Sequence, residues 1–103
     1  MKNSGDNVFR NVPVGKDEER FFQQFMLEHD HSPNTRRAIR NDIHKFAKWF
    51  SAANREPFTS SRVTVRDVID FRDQSQKIER RQVSTVNRSL ISLRGYFAWL
   101  VIK

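Results

Sequence analysis

Arg37, Arg40, Asn41, His44 and Lys48 recur at the offsets of one helical face, and that stripe contains no carboxylate. Arg81, Ser84, Thr85, Arg88 and Ser92 fall together in the same way, with Asn87 at their border. The chemistry open to such faces is the capture of a polyanion. Arg and Lys neutralise phosphates and supply salt-dependent affinity, while Asn, Ser, Thr and well-placed Arg reach base edges. A helix that faces only water usually intersperses both signs, because each i,i+4 ion pair adds roughly 0.2–0.5 kcal/mol. Neither stripe does so. For one stripe alone, a solvated basic surface without a ligand is an equally good reading. Two stripes in 103 residues favour nucleic acid.

Other chemistry-bearing residues form weaker patterns. His29 and His31 flank Asp30, but no third ligand stands at a recognisable metal spacing, so plain polar sequence is expected there and no metal. His44 can titrate on its stripe, yet no acid or nucleophile accompanies it. Tyr96, the single tyrosine, lies beside Phe97 near the edge of an apolar stripe, which suits packing better than catalysis. Trp99 projects in the direction of Arg81 and Arg88. It covers the first helix, covers the N-terminal arm, or serves as a docking surface. The absence of cysteine excludes disulfides, thiolate zinc sites and thiol nucleophiles.

Four helices account for the placement of these residues. Residues 1–16 show neither helical nor strand periodicity and hold two of the three glycines, so a flexible or loosely docked arm is expected. A first helix should start near Asp17, where Asp17, Glu18 and Glu19 complement the helix dipole, bury Phe21, Phe22, Phe25 and Met26, and fail near Asp30. Ser32 as N-cap and Pro33 at the first helical position open a second helix. Its apolar seam is Ile39, Ile43, Phe46, Phe50 and Ala53, and its end lies near Asn54. A third, shorter helix follows Thr64, which forms a capping box with Asp67, and contributes Val65, Val68, Ile69 and Phe71. Gln74 to Gln82 reads as a connection. The fourth helix spans about Gln82 to Ile102, with Val83, Val86, Leu90, Leu93, Phe97 and Leu100 inward. No segment alternates with period 2, so the expected fold is all-α, a small orthogonal or bundle-like domain.

The net charge of +7 is unevenly spread. Residues 1–31 hold four basic and six acidic residues, residues 32–103 fifteen and six, so the excess belongs to the helical body. Such a surface attracts polyanions. The length allows one core, and 12% aromatic residues make that core affordable despite 30% charged ones. No apolar run approaches the ~18 residues of a membrane span, and the polar start does not read as a signal peptide. A soluble, cytoplasmic protein is expected.

Three segments resemble a known family. Ser32-Pro33-Asn34-Thr35 with Arg40-Asn41-Asp42-Ile43, Phe46 and Trp49 is similar to the second helix of the N-terminal core-binding domain of tyrosine recombinases and phage integrases. Val63-Thr64-Val65-Arg66-Asp67-Val68-Ile69-Asp70-Phe71 resembles its third helix, and Ser84 to Leu100 its fourth, S-T-[VI]-N-R-x-L-S-A-L-R-x-F-F-x-[YW]-L. The family's aromatic in the second helix is replaced by Ile39, which preserves an apolar contact.

The resemblance implies a four-helix SAM-like domain over residues 17–103 that forms half of a clamp around a recombination site. It implies double-stranded DNA as partner, together with the protein's own catalytic domain and other recombinase protomers, and no cofactor. Carried over by position, Thr35, Arg36 and the amides at the start of the second helix would contact phosphate. Arg37, Arg40, Asn41, Ser84, Thr85 and Arg88 would face the duplex. The two stripes themselves add His44, Lys48, Arg81 and Asn87 as candidate DNA contacts. Arg94 matches a family arginine but projects near the edge of the apolar stripe, so a structural salt bridge is as good a reading as DNA contact. The family's catalytic Arg, His, Arg and Tyr set would follow the fourth helix, so residues 1–103 are expected to lack strand-cleaving activity. Tyr96 matches a core aromatic and not the nucleophile. A SAM-like protein-interaction module with a basic face for an acidic partner is the alternative. A helix-turn-helix regulator fits less well, because no short helix, tight glycine turn and recognition helix occur in succession.

Overall fold

The structure is a computed structural model and describes residues 8–102. Four helices carry the fold: α1 (Glu18–Glu28), α2 (Pro33–Asn54), α3 (Val65–Asp73) and α4 (Val83–Ile102). Among the described residues there is no strand, only an isolated bridge between Val14 and Phe58.

The start of α2 forms as its residues require. Ser32 Oγ accepts the Thr35 backbone N–H at 3.2 Å, and Pro33 occupies a position where no N–H is needed. The helix stops at Arg55, which takes the left-handed conformation (φ 54°) usually given to glycine. Thr64 and Asp67 form the reciprocal capping box of α3: Thr64 Oγ1 accepts the Asp67 N–H, and Asp67 Oδ2 accepts the Thr64 N–H.

Aromatic rings fill the centre. Phe46 of α2 meets Phe71 of α3 edge-on with centroids 5.2 Å apart, and Phe22 of α1 meets Tyr96 of α4 at 5.4 Å. Such offset and edge contacts add about 0.5–1.5 kcal/mol each beyond the area they bury. Ile43, Phe46, Ala47, Phe50 and Phe58 are fully shielded.

Four expectations need correction. Residues 8–16 do not form a loose arm: Val8, Phe9 and Val12 are buried, and Phe9 packs on Phe22 and Phe58. The segment is pinned by Phe58 N–H to Pro13 O and Gly15 N–H to Phe58 O, at 2.9 and 2.8 Å. Gly15 eases this approach, since a Cβ there would stand 2.6 Å from Thr59 Oγ1 and the Thr59 side chain would have to shift. The lack of periodicity reflected a short irregular segment whose apolar anchors keep no regular spacing, and it hid burial. Residues 1–7 of the expected arm lie outside the described residues.

The connection after α3 is also ordered. Gln74–Ile78 continues the helix as a π turn, and Trp49 Nε1 donates to Gln74 Oε1 at 2.8 Å. An i→i+5 turn has no sequence period of its own, and its polar residues read as a loop.

The seam of α4 is rotated from the expected one. Its buried residues are Val86, Ser89, Leu93 and Tyr96, while Leu90, Phe97 and Leu100 are half-buried and Val83 is exposed. The cause is polar: Ser89 and Tyr96 donate to buried carboxylates, and those bonds turn toward the core a face that hydrophobicity alone would leave out. Ala53 and Val65 are exposed at the last turn of α2 and the first of α3, where they line surface clefts and not the core.

Trp99 resolves in favour of the first helix. Its Nε1 donates to Glu28 Oε1 at 2.8 Å, and its ring lies 5.6 Å from that of Phe25.

Candidate nucleic-acid interface

The outer face of α2 lines a cleft of about 660 Å³ with the π turn and the approach to α4. Asn41, His44 and Lys48 enter it from α2, and Arg81 enters from the opposite wall. Residues from both predicted stripes thus share one concave surface. Lys45 joins them, although it lies off the predicted stripe; its position between Asn41 and Lys48 on the exposed side is the available signal. Among the described residues of the lining, Glu79 is the single carboxylate.

The backbone explains how Arg81 reaches the cleft. Arg80 adopts the left-handed conformation (φ 56°), and the Arg81 N–H donates to Ser75 O at 3.0 Å. This bond folds the chain back over the buried Ser75 before α4 begins.

His44 has a structural commitment. Its Nδ1–H donates to the Val8 carbonyl at 2.7 Å, which ties the N-terminal segment to α2 and leaves Nε2 as the other polar atom of the ring.

The other predicted residues are distributed around this cleft. Arg37 is exposed and donates to Asn34 Oδ1 at 3.3 Å. Arg40 is half-buried in the turn before Asn41. Thr35 accepts the Ser32 hydroxyl at 3.0 Å, and Arg36 Nη1 donates to the Met26 carbonyl at 3.3 Å, so part of Arg36 closes the C-terminal turn of α1. On α4, Ser84 and Asn87 are exposed and Thr85 half-buried, none of them among the residues that line the cleft.

Arg88 departs most from expectation. Its Nη2 donates to Asp42 Oδ1 at 2.8 Å, and Asp42 is buried at 1% exposure. Ser92, from the same stripe, donates to Asp42 Oδ2 at 2.8 Å. The expected outward face of α4 therefore contacts α2 through two of its members. Asp42 sits one residue past the acid-free stripe, and a helical projection does not reveal that α4 would supply its partners.

The histidines flanking Asp30 stack with centroids 5.7 Å apart, and His29 Nδ1–H donates to Phe25 O. Among the described residues, no three His, Cys, Asp or Glu side chains converge as a metal site.

The model of the phage integrase N-terminal SAM-like domain matches residues 19–103. The chain belongs to that family. Comparison with curated proteins and with solved structures returned no match. The all-α, four-helix architecture is that of a SAM-like integrase domain, as the three resembling segments had implied. Within the phage integrase family this domain stands N-terminal in the protein, and the family is that of the tyrosine recombinases. No helix of the described part of the SAM-like domain is long and apolar enough to cross a membrane.

Proposed function

We propose that this SAM-like domain binds double-stranded DNA at a recombination site, with α2 and the approach to α4 laid along the duplex. The cleft where Asn41, Lys45, Lys48 and Arg81 converge, with Glu79 the one carboxylate among its described residues, carries the reading. Its cations suit phosphates, and the amide of Asn41 suits a base edge. Arg37, Arg40, Ser84, Thr85 and Asn87 extend the contact on either side, while Thr35 and Arg36 flank a phosphate at the start of α2. In the complete recombinase the domain acts beside its catalytic domain and further protomers on DNA. Residues 1–103 alone bind DNA without cleaving it and need no cofactor.

Fluorescence anisotropy of a labelled duplex across a salt series tests this. A slope of log K against log salt of about −3, that of three to four phosphate contacts, is the expected result. An affinity that does not change between low and moderate salt refutes it.

A further inference from the structure

Asp42 is a buried carboxylate on a helix whose neighbouring outer face is basic. Its side chain is 1% exposed, yet it receives three donors: Arg88 Nη2 at 2.8 Å and Ser89 Oγ at 2.9 Å on Oδ1, and Ser92 Oγ at 2.8 Å on Oδ2. All three come from α4 and meet one atom pair on α2. The Arg88 side chain remains 53% exposed. A guanidinium carries five N–H donors in a rigid planar fork, so the bond to Asp42 leaves others directed outward.

The geometry points to Asp42 as a positioning residue that holds the Arg88 guanidinium ready for a DNA phosphate. This rests on the DNA-binding reading above. An unrestrained arginine loses rotamer freedom when it immobilises on a ligand, and an arginine already tethered loses less. The two serines keep the carboxylate itself from rotating, so the fork is fixed relative to both helices. Arginine suits this task because its planar donors match phosphate oxygens in pairs.

Charge alone predicts the opposite outcome. Asp42 places a negative charge close to a polyanion-binding face, and its removal would raise long-range attraction. Positioning predicts that its removal weakens binding. The two effects differ in sign, so one substitution separates them.

The experiment uses the 1–103 chain and a labelled duplex, with Asp42→Asn, Arg88→Ala, the double variant and Lys48→Ala. Asp42→Asn should weaken binding about five-fold, the loss from re-ordering one long side chain. Arg88→Ala should weaken it at least as much, and the double variant no further, because the carboxylate acts through the arginine. Equal or tighter binding by Asp42→Asn overturns the positioning role. So does an unaffected Arg88→Ala, and in that case a weakened Lys48→Ala leaves the DNA-binding reading intact. A wild-type chain that binds no duplex overturns both.

A second measurement needs no variant to fold. In the free wild-type domain, NMR relaxation of the Arg88 Nε–H should report a more restricted side chain than that of Arg37, and its resonance should shift when duplex is added. Equal mobility of the two arginines, or an Arg88 signal that ignores the duplex, overturns the proposal.

Discussion

The Tyr96 hydroxyl donates to Glu18 Oε2 across 2.7 Å in the interior, and so joins α4 to α1. Glu18 also accepts the Ser60 N–H and hydroxyl at 2.9 and 3.1 Å, which brings in the turn before α3. No cation faces this carboxylate in those contacts. Three donors satisfy it, as burial of a charged group demands.

Burial, reinforced by the charge of Glu18, pushes the Tyr96 phenol well above its ordinary range. The folded chain therefore holds that proton more tightly than the unfolded chain, whose tyrosine titrates near ~10. The resulting stability is complete below pH ~10 and declines as pH rises beyond it. Because Tyr96 is the only tyrosine, phenolate absorbance follows this group alone. Phenolate should appear together with loss of helical circular dichroism; ionisation in a fully helical chain would contradict the assignment. Tyr96→Phe should cost about 1–3 kcal/mol at neutral pH through the bond removed from Glu18, measured by urea denaturation.

Residues 8–16 should prove part of the folding unit. Phe9 is 3% exposed between Phe22 and Phe58, so Phe9→Ala should destabilise the domain by about 3–5 kcal/mol. A change in urea midpoint no larger than that of a surface substitution would show the segment to be dispensable.

Leu93 and Leu90 offer a direct check on the orientation of α4. Leu93 is 1% exposed and Leu90 only half-buried. Leu93→Ala should cost about 2–5 kcal/mol, and Leu90→Ala clearly less. Equal costs would restore the seam expected from hydrophobicity alone, in which both residues point inward.

Lys48 is exposed on the wall of the cleft. Lys48→Ala should leave thermal stability unchanged, weaken duplex binding to all sequences alike, and reduce the salt slope by about 1. A retained slope would remove Lys48 from the phosphate contacts.

Much of the architecture was legible in the sequence because it depends on local rules. The Ser32–Pro33 start, the Thr64–Asp67 capping box and the end of α2 at Asn54 are each written within a few residues. The α2 half of the cleft was legible too, since a 3.6-residue period brings Asn41, His44 and Lys48 together without reference to any other element. The π turn and the packing of Val8, Phe9 and Val12 were not, because neither has a period to betray it.

The sequence by itself determined the helices, their caps and the uneven distribution of charge, all of which follow from interactions between near neighbours in the chain. Only the tertiary structure decided which face of α4 turns inward and which basic residues share a surface. Those outcomes depend on Asp42 meeting Arg88, Ser89 and Ser92, and on Glu18 meeting Ser60 and Tyr96, across separations of 42 to 78 residues. A buried carboxylate must find donors wherever the fold supplies them, and that need overrides the projection of any single helix.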